Sequence, residues 1–140
     1  MSQGTREGMP NIFPALSYRD APAALDWLTD AFGFEKGLVV PGPEGTIVHA
    51  EMSLGPGVIM LASAEDAMGW MSPRDLPGVN QTISVYVEDV NAHYERAKAA
   101  GAEIVLDIAD TNYGSRGYSA RDLEGHFWNF GTYHPWTYQP

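Results

Sequence analysis

The sequence contains no cysteine among its 140 residues. This absence excludes disulfide bonds, thiolate metal sites and cysteine nucleophiles. It does not identify a redox compartment, because a chain without thiols tolerates either redox state.

Basic residues are scarce. Eight Lys and Arg stand against 18 Asp and Glu, which gives a net charge of −10. Without a basic cluster, nucleic acid is not an expected partner. The acidic balance promotes solubility, and it also favours a cationic ligand over an anionic one.

No apolar run reaches the roughly 18 residues that a membrane span requires. Residues 1–10 are polar, lack the apolar centre of a signal peptide, and are expected to form a frayed tail. We therefore expect a cytoplasmic protein with no membrane partner. A hydrophobic content of 44% is sufficient for the core of one domain.

Two segments of the chain share one plan, in which a strand-like run is followed by Asp, a helical stretch and Gly. Asp20 and Asp89 suit helix N-caps, because a short carboxylate accepts from exposed amides of the first turn. Gly33 and Gly101 suit the position after a helix, where φ is often positive. A shift of 69 positions carries Asp20 onto Asp89.

Strands are also predicted after each helix. Residues 46–54 alternate, with one face formed by Val48, Ala50, Met52 and Leu54 and the other by Ile47, His49, Glu51 and Ser53. A turn at 55–57 returns the chain antiparallel over 58–62. The second half repeats this with strands at 118–122 and 126–132, and the shift of 69 carries Met60 onto Asn129.

Three motifs resemble those of the vicinal-oxygen-chelate superfamily, which includes glyoxalases, bleomycin-resistance proteins and dioxygenases. The first is Tyr18-Arg19-Asp20-Ala21 followed by residues 24–34. The second is Tyr86-Val87-Glu88-Asp89-Val90 with Arg96-Ala97 and Ala100-Gly101-Ala102. The third is Tyr113-Gly114-Ser115-Arg116 with Arg121-Asp122-Leu123-Glu124-Gly125-His126-Phe127-Trp128, where Leu123 replaces the usual proline.

The resemblance covers about residues 12–133 and implies an α+β fold. Two tandem βαβββ modules would form an open, barrel-like curved sheet with a concave cavity. Module one is expected at about 10–64, a linker at 65–79 and module two at about 80–134, all within a single domain 1–140.

The resemblance also implies where a metal would bind, on the first and last strand of each module. These positions fall on Phe13, Met60, Thr82 and Asn129. A catalytic divalent metal normally needs about three nitrogen or oxygen ligands. The mapped side chains supply at most an amide and a hydroxyl, so we predict no metal and no cofactor at this site.

His49 and Glu51 lie two apart on one predicted strand face, so both point the same way. They form either a general acid–base pair, a displaced metal site with Tyr118 as the third ligand, or a polar wall that orients a ligand. The other histidines are weaker candidates: His93 is expected on a helix surface, His126 at a strand start, and His134 exposed.

Alternation from the mapped positions predicts an aromatic cavity with a few polar anchors, typical of a small-molecule pocket. Trp70, in the predicted linker, joins it as a loop residue. The predicted ligand-binding residues are Phe13, Ser17, His49, Glu51, Met60, Trp70, Thr82, Ser84, Tyr86, Tyr118, Phe127 and Asn129.

The favoured function is metal-independent binding of a small organic molecule, cationic or aromatic, resembling the sequestering bleomycin-resistance proteins. The alternative is a glyoxalase- or dioxygenase-type enzyme, or a metal-free one, with a non-standard site around His49 and Glu51. Whether any reaction is catalysed is left open by the sequence.

A homodimer is the expected assembly, because superfamily members commonly pair and symmetric dimers are the commonest oligomers. Aromatic residues near the end of the chain could supply the interface: Trp128, Phe130, Tyr133, Trp136 and Tyr138.

Overall fold

The computed structural model describes residues 8–135. Most of the predicted frayed tail, and the predicted interface residues Trp136 and Tyr138, lie outside this range. No helix within 8–135 is long and apolar enough to cross a membrane.

Between residues 8 and 135, two α-helices and eight strands follow one another in the order βαβββ, twice over. Their bounds are β1 Ala15–Tyr18, α1 Ala21–Phe32, β2 Glu35–Pro41, β3 Ile47–Leu54, β4 Gly57–Ser63, β5 Ile83–Tyr86, α2 Val90–Ala99, β6 Glu103–Asp110, β7 Arg116–Arg121 and β8 Phe127–Gly131. This order, with two four-stranded mixed sheets, confirms the predicted α+β class.

The chain divides into two compact units. Among the described residues, the first contains 8–29 together with 33–72, and the second contains 30–32 together with 73–135.

The sheet of the first unit has the strand order β1-β4-β3-β2. β1 runs parallel to β4, and the other pairs are antiparallel. Leu16, Leu61 and Ala50 share one cross-strand row and are all buried, because alternate residues point to one face of a sheet.

The sheet of the second unit repeats this arrangement as β5-β8-β7-β6, with β5 parallel to β8. Its buried face carries the largest core side chains, Trp128, Phe130 and Tyr118. Phe32 belongs to this core, since its ring lies 4.6 Å from that of Phe130.

The predicted helix ends are confirmed. The carboxylates of Asp20 and Asp89 accept from the backbone amides of residues three positions later, each at 3.1 Å. Gly33 ends α1 in the left-handed region with φ 83°, and Gly101 follows α2 with φ 95°.

The predicted shift of 69 positions is also present in the strand register. It carries the pair Ala15–Met60 onto the pair Ser84–Asn129. The residue beside Met60 is therefore Ala15. Phe13, which the sequence placed there, precedes β1 and is 42% exposed.

The predicted alternation of β3 is correct from His49 onward and wrong before it. Ile47 is buried and Val48 is 60% exposed, the reverse of the expectation. A register shift between Val40 and Pro41 leaves Val48 without a partner on β2. Such a bulge inserts one extra residue and changes the phase of the side chains.

Candidate functional site

A polar row crosses three strands on one face of the second sheet. Ser84 of β5 pairs with Asn129 of β8, which pairs with Ser119 of β7. Tyr118 and Phe130 are the sequence neighbours of Ser119 and Asn129, and both are buried in the core. The polar row therefore lies on the face opposite the core, because successive side chains alternate between faces.

The next row on this face has almost no side chains. Gly131 of β8 pairs with Gly117 of β7, and Gly117 pairs with Ala109 of β6. At the β5 end of the row, Tyr86 pairs with Gly131. Three small residues beside a tyrosine leave a hollow in the surface of the sheet.

The two glycines are required by close backbone contact. A Cβ on Gly131 would lie 2.6 Å from the carbonyl oxygen of Arg116, and one on Gly117 would lie 2.8 Å from that of Phe130. No real Cβ occupies such positions, so the local pairing demands glycine at both.

The hollow is the floor of a cavity of about 810 Å³ within the second unit. Small-molecule pockets typically measure roughly 300–1,000 Å³. Beyond the two rows, the charged and aromatic residues that line it are Asp107, Asp110, Tyr113, Arg116, Tyr118, Phe130, Tyr133 and His134.

The polar row is joined by hydrogen bonds through Asn129. Ser119 Oγ donates to Asn129 Oδ1 at 2.6 Å. Asn129 Nδ2 donates to Thr82 Oγ1 at 3.2 Å and to Ser84 Oγ at 3.3 Å. Because Ser119 is buried, its hydroxyl needs this partner, and the bond fixes the orientation of the Asn129 amide.

Aromatic rings stand at the mouth of the cavity. Tyr113 and Tyr133 meet edge to face with centroids 5.7 Å apart, and Tyr86 meets His134 at 5.8 Å. Tyr86, Tyr113 and Tyr133 are each about half exposed, at 51%, 52% and 44%. Half-exposed rings offer faces for stacking or cation–π contact.

Two acidic residues and one basic residue border the cavity, and their side chains bond to one another or to α2. Arg116 donates to Asp110 at 3.1 Å and to Asn91 at 2.9 Å, so its guanidinium is engaged. Asp107 accepts from the hydroxyl of Tyr94. This hydrogen bond lowers the pKa of Asp107 and raises the pKa of Tyr94, so Asp107 remains a carboxylate.

Tyr118, a predicted ligand-binding residue, borders the cavity but directs its hydroxyl toward α2. Its Oη lies 2.6 Å from Nδ1 of His93 on α2. The pairing of Ser119 with Asn129 determines which residues of β7 point to each face of the sheet. The side chain of Ser119 points to the cavity face, and that of Tyr118 points to the opposite face. Burial raises the pKa of Tyr118.

His93 is half-buried and packs against the core, whereas the sequence predicted that it lies on the helix surface. Its Nε2 lies 2.8 Å from the carbonyl oxygen of Phe32, and its ring is 4.3 Å from that of Phe130. A carbonyl only accepts, so Nε2 carries the proton and Nδ1 accepts from Tyr118. Burial lowers the pKa of His93, and the charge of Arg96 adds to the effect.

In the first unit, the structure brings His49 and Glu51 together. His49 Nε2 lies 2.8 Å from Glu51 Oε2, and both side chains are partly exposed. Glu51 pairs with Met60, and Met60 with Ala15, on the same face of that sheet.

The other predicted ligand-binding residues are placed as follows. Ser17 lies on β1 opposite Ala62, and Trp70 is 53% exposed in a loop closed by backbone hydrogen bonds to Glu65. Phe127 lies two residues before Asn129 on β8, with the guanidinium of Arg121 5.7 Å from its ring centroid. Ser84, Tyr86, Tyr118 and Asn129 line the cavity of the second unit.

The residues at the metal positions implied by the resemblance do not fit a metal. Asn129 uses both ends of its amide in hydrogen bonds to hydroxyls. Met60 supplies only a thioether, which hard divalent cations disfavour. Across residues 8–135, no group of three His, Asp or Glu side chains could hold a metal ion.

Several cavity residues were missed by sequence reasoning, above all Ser119, Gly117 and Gly131. A possible signal was the pattern Gly-Tyr-Ser in β7 and Asn-Phe-Gly in β8, in which small or polar residues alternate with aromatic ones. Tyr113 and Tyr133 lie in loops, where periodicity gives no information.

A sequence profile of the glyoxalase/bleomycin resistance protein/dioxygenase superfamily matches residues 13–130. The chain belongs to this superfamily. An uncharacterised protein of Mycobacterium bovis is 34% identical over 125 residues, which cover 87% of this chain and 82% of the relative.

Solved structures of this superfamily fold are also similar. TioX from Micromonospora sp. ML1 is 35% identical, with a TM-score of 0.71 over 89% of this chain and 97% of that one. The fosfomycin resistance protein FosX of Listeria monocytogenes, solved with Mn(II), is 15% identical with a TM-score of 0.67, over 88% and 89% of the two chains. At that identity the similarity to FosX shows the fold alone.

Proposed function

We propose that the cavity of the second unit binds a small organic molecule, cationic or aromatic, without a metal. The observation that carries this proposal is the cavity of about 810 Å³, with a glycine floor between a polar row and a tyrosine mouth. A flat ring fits a floor without side chains, and the polar row supplies directional contacts. Such a protein would sequester its ligand without chemical change.

The charge of the cavity supports a cation. Asp107 and Asp110 line it against the single guanidinium of Arg116, which is already bonded to Asp110. The tyrosine faces attract cations through their ring quadrupoles. The net charge of −10 adds a long-range field of the same sign.

Metal independence is supported by the chemistry of the mapped positions. Met60 and Asn129 occupy the last strands of the two modules. The amide of Asn129 is hydrogen-bonded to Ser119, Thr82 and Ser84, and one amide with one thioether is fewer than the roughly three nitrogen or oxygen ligands of a catalytic divalent metal.

Three aromatic probe molecules of similar size, one cationic, one neutral and one anionic, test the proposal by titration calorimetry in the presence of EDTA. We expect phenyltrimethylammonium to bind more tightly than benzyl alcohol, and benzenesulfonate to bind least. Tyr113→Ala should weaken the cation by about two- to fivefold, the scale of an exposed cation–π contact. Leu38→Ala, an exposed apolar side chain of the first unit, is the control and should change nothing. Equal binding of all three probes, or tighter binding of benzenesulfonate, would contradict the proposal.

An enzymatic function around His49 and Glu51 is the second candidate, favoured by their 2.8 Å contact. It would use the pair for proton transfer, or as part of a displaced metal site. Elemental analysis of the untagged protein, with melting shifts on adding Zn²⁺, Ni²⁺, Fe²⁺ or Mn²⁺, tests the metal form. Near-stoichiometric metal, or a shift lost in His49→Ala, would support it.

We also infer a homodimer located in the cytoplasm. Members of the superfamily commonly form dimers, and symmetric homodimers are the commonest oligomers in general. Sedimentation equilibrium checks the assembly, and a monomer at micromolar concentration would refute it. Cell fractionation checks the compartment.

A further inference from the structure

The orientation of the Asn129 amide determines which groups of the polar row are left for a ligand. Ser119 donates to Oδ1, so Nδ2 faces Thr82 and Ser84. An amide nitrogen has two protons and no acceptor. The hydroxyls of Thr82 and Ser84 therefore both accept from Asn129, and each keeps its own proton.

Neither of these hydroxyl protons has an acceptor within residues 8–135. Thr82 and Ser84 are exposed, and Ser84 lines the cavity. A hydroxyl that accepts a hydrogen bond becomes a stronger donor, because the bonds polarise one another. Two adjacent donors thus stand at one side of the glycine floor.

We propose that Thr82 and Ser84 donate hydrogen bonds to an uncharged carbonyl oxygen of the ligand, with Asn129 as the positioning residue. The inference rests on the proposed function and adds a selectivity to it. The ligand class becomes an aromatic or cationic molecule that carries a carbonyl group beside its ring.

The charged residues beside the cavity favour a neutral oxygen over a carboxylate as the acceptor group of the ligand. Asp107 and Asp110 line the same cavity, and Arg116 is occupied by Asp110 and Asn91. A ligand carboxylate would lie near an excess of negative charge, with the neighbouring guanidinium already bonded, whereas a carbonyl oxygen carries no net charge to be repelled.

Two matched probes test the carbonyl. These are 4-acetyl-N,N,N-trimethylanilinium and 4-ethyl-N,N,N-trimethylanilinium, which share the ring and the cation and differ in the oxygen. By titration calorimetry the acetyl probe should bind about three- to tenfold more tightly, the scale of one or two net hydrogen bonds. Thr82→Val with Ser84→Ala should reduce this ratio to about one, whereas Ser53→Ala on the first unit's sheet should not change it.

Asn129→Asp separates positioning from folding. A carboxylate accepts at both oxygens, so the Thr82 and Ser84 protons would turn toward it and away from the ligand. The acetyl-to-ethyl ratio should fall to one or below, while the ethyl probe binds no more weakly because negative charge has been added. A merely structural role would weaken both probes alike.

The outcomes distinguish the two proposals. Tight binding of both probes with equal affinity to the unsubstituted chain would overturn the carbonyl inference and leave the cation-binding cavity intact. An acetyl-to-ethyl affinity ratio that is unchanged in the Thr82→Val, Ser84→Ala double variant would also overturn the carbonyl inference alone. Failure of both probes to bind would overturn the proposed function and the inference with it.

Discussion

Asp122 is a buried residue on which the turn before β8 depends. Its Oδ1 accepts from the backbone amides of Glu124, Gly125 and His126 at 3.0–3.1 Å, and its Oδ2 accepts from the indole of Trp128 at 3.1 Å. A carboxylate is suited to this place because it only accepts.

We predict that Asp122→Asn lowers the free energy of unfolding by about 1–3 kcal/mol, because an amide nitrogen would face N–H donors and leave them unsatisfied. Urea denaturation measures the change. Asp26→Asn is the control, since that carboxylate is 71% exposed, and its effect should be small. Equal stability of Asp122→Asn and the unsubstituted chain would refute this account of the turn.

His93 gives the stability a pH dependence with a definite sign. Its pKa is lowered in the folded chain, mainly by burial, so the unfolded chain binds its proton more readily. The associated stability is complete above the ordinary histidine pKa near 6.5 and is lost as the pH falls through the folded value. A proton on Nδ1 would also oppose the proton that Tyr118 donates there.

We therefore expect the unfolding free energy to fall between pH 7.5 and pH 5 by more in the unsubstituted chain than in His93→Gln. Comparing the two chains isolates the contribution of His93. Parallel pH profiles would show that His93 does not contribute.

Residue types could be inferred from the sequence, but their partners could not. Asp20 and Asp89 were predicted as caps because capping is local, within three residues. Ser119 and the hydrogen bonds of Asn129 depend on pairing across β5, β8 and β7, which no local pattern specifies.

Among the elements, the glycine pair of β7 and β8 gives the sharpest prediction. Gly131→Ala would place a Cβ 2.6 Å from the carbonyl oxygen of Arg116 and 3.0 Å from Cα of Gly117. Both contacts are with backbone, so a strand must move. We expect a loss of about 1–3 kcal/mol in unfolding free energy, typical of overpacking.

Gly78→Ala is the matched control for this prediction. Nothing lies within 4 Å of a Cβ at Gly78, and its φ is not positive. The variant should be neutral or slightly stabilising in urea, because alanine restricts the unfolded chain. If Gly131→Ala were equally tolerated, the two strands would not be in close backbone contact.

Helices and strand pairing were accessible from the sequence to different degrees. Both helices, their caps and the shift of 69 positions are confirmed. The phase of β3 was wrong at Ile47–Val48. A bulge or a one-residue error in register turns a side chain to the other face, and alternation alone does not locate either.

At the scale of the whole molecule, superfamily membership could be predicted because the motifs extend over most of the chain, and the profile match to 13–130 confirms it. The position of the cavity could not be predicted, because it arises where Gly117, Gly131 and Ala109 coincide in one cross-strand row. The net charge of −10 supports a cationic ligand from composition alone, and the carboxylates lining the cavity support it independently.

The most direct test of the central claim is a titration of the ¹⁵N-labelled chain with phenyltrimethylammonium in EDTA, followed by amide chemical shifts. The account predicts saturable shifts at Ser84, Ser119 and Gly131 and in the side-chain amide of Asn129, with His49 and Glu51 unaffected. Shifts confined to His49 and Glu51, or shifts that require an added divalent metal, would contradict it.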